Sequence, residues 1–540
     1  MAKPKSRFAA AGIMLSVILL GGLLAGCSGG GGSGGGSAAS GGDGSGSGSG
    51  NKPLTLTWMR YEHPSQAVVE DSQAVQEILK RQNVKLNLQS VPQSNYDDKK
   101  KTLIATNTIP DVMLVKQDDI QNYADTGVFL DLTPYLDKMP NFQKVLEEHP
   151  DIKKNYIDGK LYGFPLVTKW DIQAGQIPMI RTDLLQKLGI PTPTTYEELY
   201  QALKKMKEAY PDSYPFAARA ANGLTGTENL INPIAFGFGS GYTTFNGTKV
   251  YYDPATQKYE FGPYSPQFKE AIAWLHKLYS EKLLDQDYTT ATSQTWQEKL
   301  NSGKSFYFQD NNGFASSFNP ILQQKDPNAK FDMIPVLASP SGVKRNLVYS
   351  LDHLSESYVI SAKVKDPDRV IQFIDWMYGE EGTNLTSLGI ENQDYTIENG
   401  EYKMSQELMD KYKDKPSPYY AIESALGLGY LGLALNYDDH PNVPFQGEDG
   451  LRWSETNLKN VDAGINFRFT NDPPFNKEER EKLKQLRTEL DSFITSNMDK
   501  FIIKDGALES DWDSFVQQCK EKGADELVQI YNDALARVQS

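Results

Sequence analysis

Asp158 to Asp171, DGKLYGFPLVTKWD, is the stretch on which the reading of this chain turns. Asp158-Gly159 is a tight-turn dipeptide. Leu161 to Val167 reads as extended, and Pro165 confines it to an edge or crossing position. Before it, Leu54 to Ile157 reads as one α/β unit; a second unit begins near Gln176. The stretch is therefore the expected passage from one lobe to another, and a cleft between lobes is a common place for a ligand.

In the first unit, Leu54 to Trp58 alternates as a strand. A helix is expected over 65–81, a strand over 84–91, a helix over 96–106 and a buried strand over 109–115. That β-α-β-α-β order implies parallel pairing with right-handed crossovers. Ligands of open α/β sheets gather outside the carboxyl ends of the strands. Arg60, Tyr61 and Glu62 follow the first strand and are candidates on that ground, with a solvated loop as the alternative.

Trp170 and Asp171 stand just past the crossing, and an indole face beside a carboxylate suits the C–H faces and hydroxyls of a sugar; ordinary core is the alternative for the indole. Thr194 and Glu197 are read as a capping box. A hairpin is expected over 250–262 and a helix over 265–284. Trp296, among Thr295, Gln297 and Glu298, is a cleft candidate. Asp310 and Asn311 qualify by the strand-end rule. The chain is expected to cross back near 348–359, which would turn Tyr349, Asp352 and His353 to the cleft, and again near 379–388. Tyr430 and Trp453 lie where aromatics and carboxylates interleave, as cleft lining or as packed loop. Asn476 with Glu479 caps a long amphipathic helix. Cys519 shares helical spacing with Trp512, Phe515 and Val516 and reads as a buried small hydrophobe.

Several chemistries are excluded or left without a nominee. Gly303-Lys304-Ser305 is no phosphate loop, because Glu298 stands where the first glycine belongs. Asp326, Asn328, Lys330 and Asp332 alternate like half a calcium loop but lack its glycine and its final glutamate. The five histidines show no metal-ligand spacing, so neither metal nor cofactor is expected. No catalytic residue is nominated, although 70 acidic residues always permit a carboxylate pair for glycoside hydrolysis to be drawn.

Lys3, Lys5 and Arg7 precede an apolar run, Ala9 to Leu24, which ends in Leu24-Ala25-Gly26-Cys27. Residues 1–26 thus read as a signal peptide. Residues 28–50 are almost wholly Gly and Ser, a flexible coil reaching about 25–30 Å. With the three leader cations gone, 52 basic residues face 70 acidic ones, a balance of −18 that repels phosphate backbones, so nucleic acid is not an expected partner.

The motif DGK-x-YG-x-P, at Asp158 to Pro165, resembles the signature of the family 1 extracellular solute-binding proteins, receptors of sugar ABC importers. Pro110-Asp111-Val112, the segment Gly127 to Leu136, the run Met179 to Pro191 and the C-terminal stretch from Ser510 are similar to the same family, in its long lipoprotein subgroup. Leu24 to Cys27 resembles the bacterial lipobox. The resemblance implies acylation of Cys27 and a periplasmic-binding-protein type II fold, α/β, with two lobes on a multi-segment hinge and extra C-terminal helices. One lobe is then 51–166 with about 350–380; the other is 167–349 with about 381–540. It further implies a monomeric receptor on the extracellular face of the cell membrane, held to the bilayer through Cys27. Such a receptor captures an oligosaccharide and docks on an ABC permease. A tethered glycosidase or polysaccharide lyase, or a sugar sensor for a kinase, are the other readings.

Overall fold

The structure, a computed structural model, describes residues 52–63, 66–169, 172–221, 223–349, 356–399, 401–415 and 418–539. Cys27 and the leader lie outside them. Lys52–Ser540 is one compact unit built on two five-stranded sheets. No helix among the described residues is long and apolar enough to cross a membrane.

The first sheet runs Val84–Pro92, Leu54–Glu62, Val112–Lys116, Glu356–Ile360, Gly163–Pro165. Its first three strands are parallel; Glu356–Ile360 is antiparallel to both neighbours. Pro165 thus sits on an edge strand, where its missing N–H costs no ladder bond. Thr57 is pinned to the turn before Val112 by Asp111, whose Oδ2 accepts from the Thr57 amide at 2.8 Å and its hydroxyl at 2.7 Å. Beneath the sheet, Trp58, Ile78, Phe142, Phe164, Tyr358 and Ile374 are almost wholly buried.

In the second sheet the order is Phe331–Met333, Gly175–Arg181, Asn346–Val348, Asn466–Arg468, and Tyr307–Asn311 also pairs with Gly175–Arg181. Its core is completed by the C-terminal helices. Leu490, Ile494 and Phe501 of helix Lys477–Ile503 pack among Phe268, Ile272 and Leu275 of helix Pro266–Ser280. The Asn476 cap and its reciprocal Glu479 bond are present. The cap before helix Tyr196–Ala209 is Thr195, one residue later than expected, and the partner of Thr194 is Glu198 in place of Glu197. Cys519 is fully buried, and burial pushes its thiol up to about 12, so it is no nucleophile.

The third passage between cores is not near 379–388. Helices Pro367–Tyr378 and Glu380–Ser387 stay on the first core, as do Ile422, Leu426, Leu428, Leu431, Leu433 and Leu435. The chain reaches the second sheet only after Asn436–Asp438, which pairs in parallel with the first crossing strand, Val167–Lys169. Two crossings therefore travel side by side. Under them lies Glu423, 2% exposed, whose Oε1 accepts from the Tyr437 hydroxyl at 3.1 Å; burial pushes its carboxyl up to about 8.

Gly175 begins the second sheet where backbones approach closely. A Cβ there would lie 2.5 Å from the Leu347 carbonyl oxygen and 2.7 Å from Val348 Cα. Gly175→Ala is expected to destabilise by about 1–3 kcal/mol, the range for overpacking, read as a lower urea midpoint.

Candidate functional site

The first lobe contributes the end of strand Leu54–Glu62. Arg60 does not reach outward: it is 2% exposed, donates from Nε to the Tyr61 carbonyl at 3.1 Å, and from Nη1 to the carbonyls of Tyr430 (2.9 Å) and Gly432. It is a brace, because a desolvated guanidinium needs every acceptor it can find. Tyr61 packs edge-on to Tyr96 at 5.7 Å, and its hydroxyl, pushed up by burial, donates to Glu356 Oε2 at 3.3 Å. Glu62 accepts from the Val68 amide at 3.1 Å. Tyr430 lends its carbonyl to Arg60 and its ring to Tyr437 at 5.7 Å. Glu356, missed in the sequence, opens the antiparallel strand opposite Lys116; burial raises its carboxyl against the pull of Arg60 and Lys116. Beside Lys116, the amide of Gln117 has no protein partner on either atom.

The second lobe contributes a polar net and an aromatic row. Arg219 grips Asp310 with Nε at 2.9 Å and Nη2 at 3.1 Å; Asn229 Nδ2 also donates to Asp310, at 3.1 Å, and Gln176 Nε2 donates to Asn229 at 3.2 Å. Asp310 is thus a buried ion-pair partner and not a free hydroxyl binder. Asn311, half-buried, caps its own turn, its Oδ1 accepting from the exposed Gly313 amide at 2.8 Å. Tyr349 lies near this net: Asp310 raises and Arg219 lowers its hydroxyl, which burial chiefly drives up. Its half-buried ring stacks on Phe469 at 6.1 Å, and Phe469 meets Phe245 at 5.4 Å. Next to Phe245, Asn246 donates to Asp472 Oδ2 at 3.1 Å.

Two tryptophans are corrected. Trp296 is fully buried, ringed by Phe308, Phe314 and Phe318 at 5.2–5.4 Å, with Nε1 donating to the Ala217 carbonyl. Trp453, 1% exposed, donates to Asp332 Oδ1 at 2.6 Å. Both belong to a small third core. Asp332 also pairs with Arg452, and Lys330 with Asp449; Asp326, the other carboxylate of the half calcium loop, accepts from the Asn328 amide at 3.0 Å. Trp170, Asp171 and Asp352 lie outside the described residues.

The lobes touch across a charged seam. Lys477 and Arg487, on a helix anchored in the second core, lie 2.9 Å from Asp125 and 3.9 Å from Asp118 of the first lobe. Asp472 sits behind this seam; burial, then the Asp118 charge, pushes its carboxyl up to about 6. Asp118 and Asp491 are raised too, each mainly by burial.

The profile of the family described as bacterial extracellular solute-binding protein matches residues 66–384. The chain belongs to this family. Lipoprotein LipO of Bacillus subtilis (strain 168) is 26% identical over 458 residues, 82% of this chain and 84% of LipO. The polygalacturonan/rhamnogalacturonan-binding protein YtcQ of the same organism is 23% identical over 545 residues, 98% of each chain. Among solved structures, the substrate-binding protein FusA of S. pneumoniae in complex with kestose superposes with a TM-score of 0.69, at 19% identity, covering 90% of this chain and 99% of FusA. The two sheets are the lobes of a type II periplasmic solute-binding fold.

Two outcomes are expected of this solute-binding protein. Trp296→Ala should cost about 3–5 kcal/mol of stability, as large buried aromatics do, seen in denaturant unfolding. Asp472 has its proton affinity raised on folding, from about 3.9 in the free chain to about 6. The native state therefore holds the extra proton between those values, and stability falls as pH rises from about 4 to about 6. Asp472→Asn should flatten that part of the stability–pH curve by roughly 2 kcal/mol.

Proposed function

We propose that this protein is a lipid-anchored extracellular receptor that closes its two lobes on an oligosaccharide and delivers it to the membrane subunits of an ABC importer. The observation that carries the reading is the face of the second lobe. Tyr349, Phe469 and Phe245 form a row of half-buried rings with Asn246, Asp472 and Asp310 among their polar neighbours. Aromatic faces with fixed polar neighbours are what a sugar needs, its C–H faces on the rings and its hydroxyls on the polar groups. The names of relatives agree in kind: one is a lipoprotein, one binds polygalacturonan and rhamnogalacturonan, one holds kestose.

Acylation of Cys27 supplies one membrane signal, and the Gly/Ser stretch 28–50 lets the folded body move above the surface. Closure requires only that the ligand bind the closed arrangement better than the open one. Among the described residues no general acid is paired with a base across an open site, so binding without turnover is the simpler reading. The lobes are assigned as 51–166 with the strand that returns at 356–360, and 175–349 with the C-terminal helices; the segment through Leu435 joins the first.

The test is calorimetry on the compact unit from Lys52 onward, titrated with plant and microbial oligosaccharides. Heat should saturate near one ligand per chain, and Tyr349→Ala should weaken binding by tenfold or more while leaving the unfolding midpoint near wild type. Heat that continues past saturation, with shortened sugars in the cell, would make the protein a hydrolase.

A further inference from the structure

The paired crossings rest on a carboxyl that the fold closes off from water. Glu423, on helix Pro418–Leu426, accepts through Oε1 from the hydroxyl of Tyr437, which is bonded in turn to the hydroxyl of Tyr419. Tyr437 is the middle residue of Asn436–Asp438, the second crossing strand. The carboxyl also lies against the chain that leads to this strand. A Cβ on Gly429, at φ +84°, would overlap Glu423 Oε1. The Glu423 carbonyl accepts from the amides of Gly427 at 2.7 Å and Leu428 at 2.8 Å. One residue thus holds the segment 427–437 at its start, along its course and at its end.

Few charges face this carboxyl. Asp439, wholly buried, directly follows the crossing strand, and its charge adds to the burial that chiefly raises Glu423. The hydroxyls of Tyr419 and Tyr437 and the charge of Arg60 act the other way. Arg60 shares a cavity of about 10 Å³ with Glu423, Gln66 and Ser72, and its Nη2 has no protein partner; its other bonds go to carbonyls. Tyr420 and Tyr430 are nearby hydroxyls that burial keeps neutral. On helix Gln73–Gln82, Glu77 is paired with Lys80 and Arg81, and the charged side chains of helix Gln406–Tyr412 are exposed. Past the strand, Asp438 lies 3.6 Å from Lys169, and the His440 ring meets Tyr402. His63, whose ring is 6.5 Å from that of Tyr420, is lowered chiefly by burial.

A carboxylate cut off from water is costly to keep. In any opening that hydrates it, the same group ionises near its free value of about 4.3, against about 8 in the packed arrangement. The packed form therefore holds the extra proton between those values, and packing weakens as pH rises through that window, by roughly tenfold per pH unit. We infer that Glu423 is a proton-operated latch on the hinge: protonated, it keeps the segment 427–439 packed and the two crossings bonded to each other; ionised, it lets them part. The latch goes beyond the receptor reading and stands on the fold, whatever the cleft holds.

The test is amide hydrogen exchange on the full chain from pH 5.5 to 7.5, each rate divided by its intrinsic value. The reporters are the Val167 amide, bonded to the Leu435 carbonyl at 2.9 Å, and the Asp439 amide, bonded to the Lys169 carbonyl at 3.2 Å. The reference is the Arg181 amide, bonded to the Phe306 carbonyl in the second lobe. Both reporters should lose protection at least tenfold over this range while Arg181 does not follow. Glu423→Gln, which cannot ionise, should abolish the slope and melt near wild type at pH 5.5. A titrating His63 would drive opening in the opposite direction, towards low pH, and cannot imitate the effect. A flat wild-type profile, or the same slope at Arg181, would overturn the latch without using any variant. A slope that survives Glu423→Gln and disappears in Asp439→Asn would assign the proton to Asp439 and overturn it as well. None of these outcomes bears on sugar binding, so the receptor reading fails or stands separately.

Discussion

The guanidinium of Arg60 decides how much of this molecule is placed. It ends the first strand, yet its acceptors are the carbonyls of Tyr430 and Gly432, some 370 residues further along the chain. Those bonds hold the leucine-rich segment 428–435 on the first lobe, which carries Asn436–Asp438 into register beside the first crossing strand. Glu356 and Tyr61 are set against the same brace. A buried guanidinium with one acceptor removed is a heavy penalty, so the strand end, the returning loop and the hinge form one cooperative unit.

The seam between the lobes works at the other energetic extreme. Lys477–Asp125 is half exposed on both sides, and pairs of that kind contribute at most about 1 kcal/mol. Such a contact biases closure without locking it, and it is screened by salt. Behind it, Asp118, Asp472 and Asp491 crowd together with Arg487, and burial raises all three carboxyls. The seam is therefore weak, acidic and sensitive to salt.

Local pattern carried a large part of the architecture. The β-α-β-α-β order, Pro165 at an edge, the Asn476 cap and the burial of Cys519 are all settled within a few residues, and all are found. The site was less legible, because its residues are defined by partners that sequence neighbours do not reveal. Trp296 has polar neighbours in the chain but three phenylalanines in space. Arg60 and Asp310 obey the strand-end rule and are consumed by internal partners. Phe245 and Phe469 carried no local signal; only their ring contacts with each other and with Tyr349 single them out. The third crossing was displaced for a related reason: Leu428, Leu431, Leu433 and Leu435, which hold the chain to the first core, lie in turns among glycines, outside any helix or strand, so no period announces them.

Two of the passages between the lobes are hydrogen-bonded to each other as a short parallel ladder, Val167–Lys169 with Asn436–Asp438. Separate strands could each flex along a different line. A bonded pair resists sliding and shear but tolerates twist and bend, so the lobes are left with a single easy axis, like a door hung on one pin. The gape at a given distance from that pin is then geometrically fixed, and the length of guest admitted is governed by lever arm as much as by side-chain contacts.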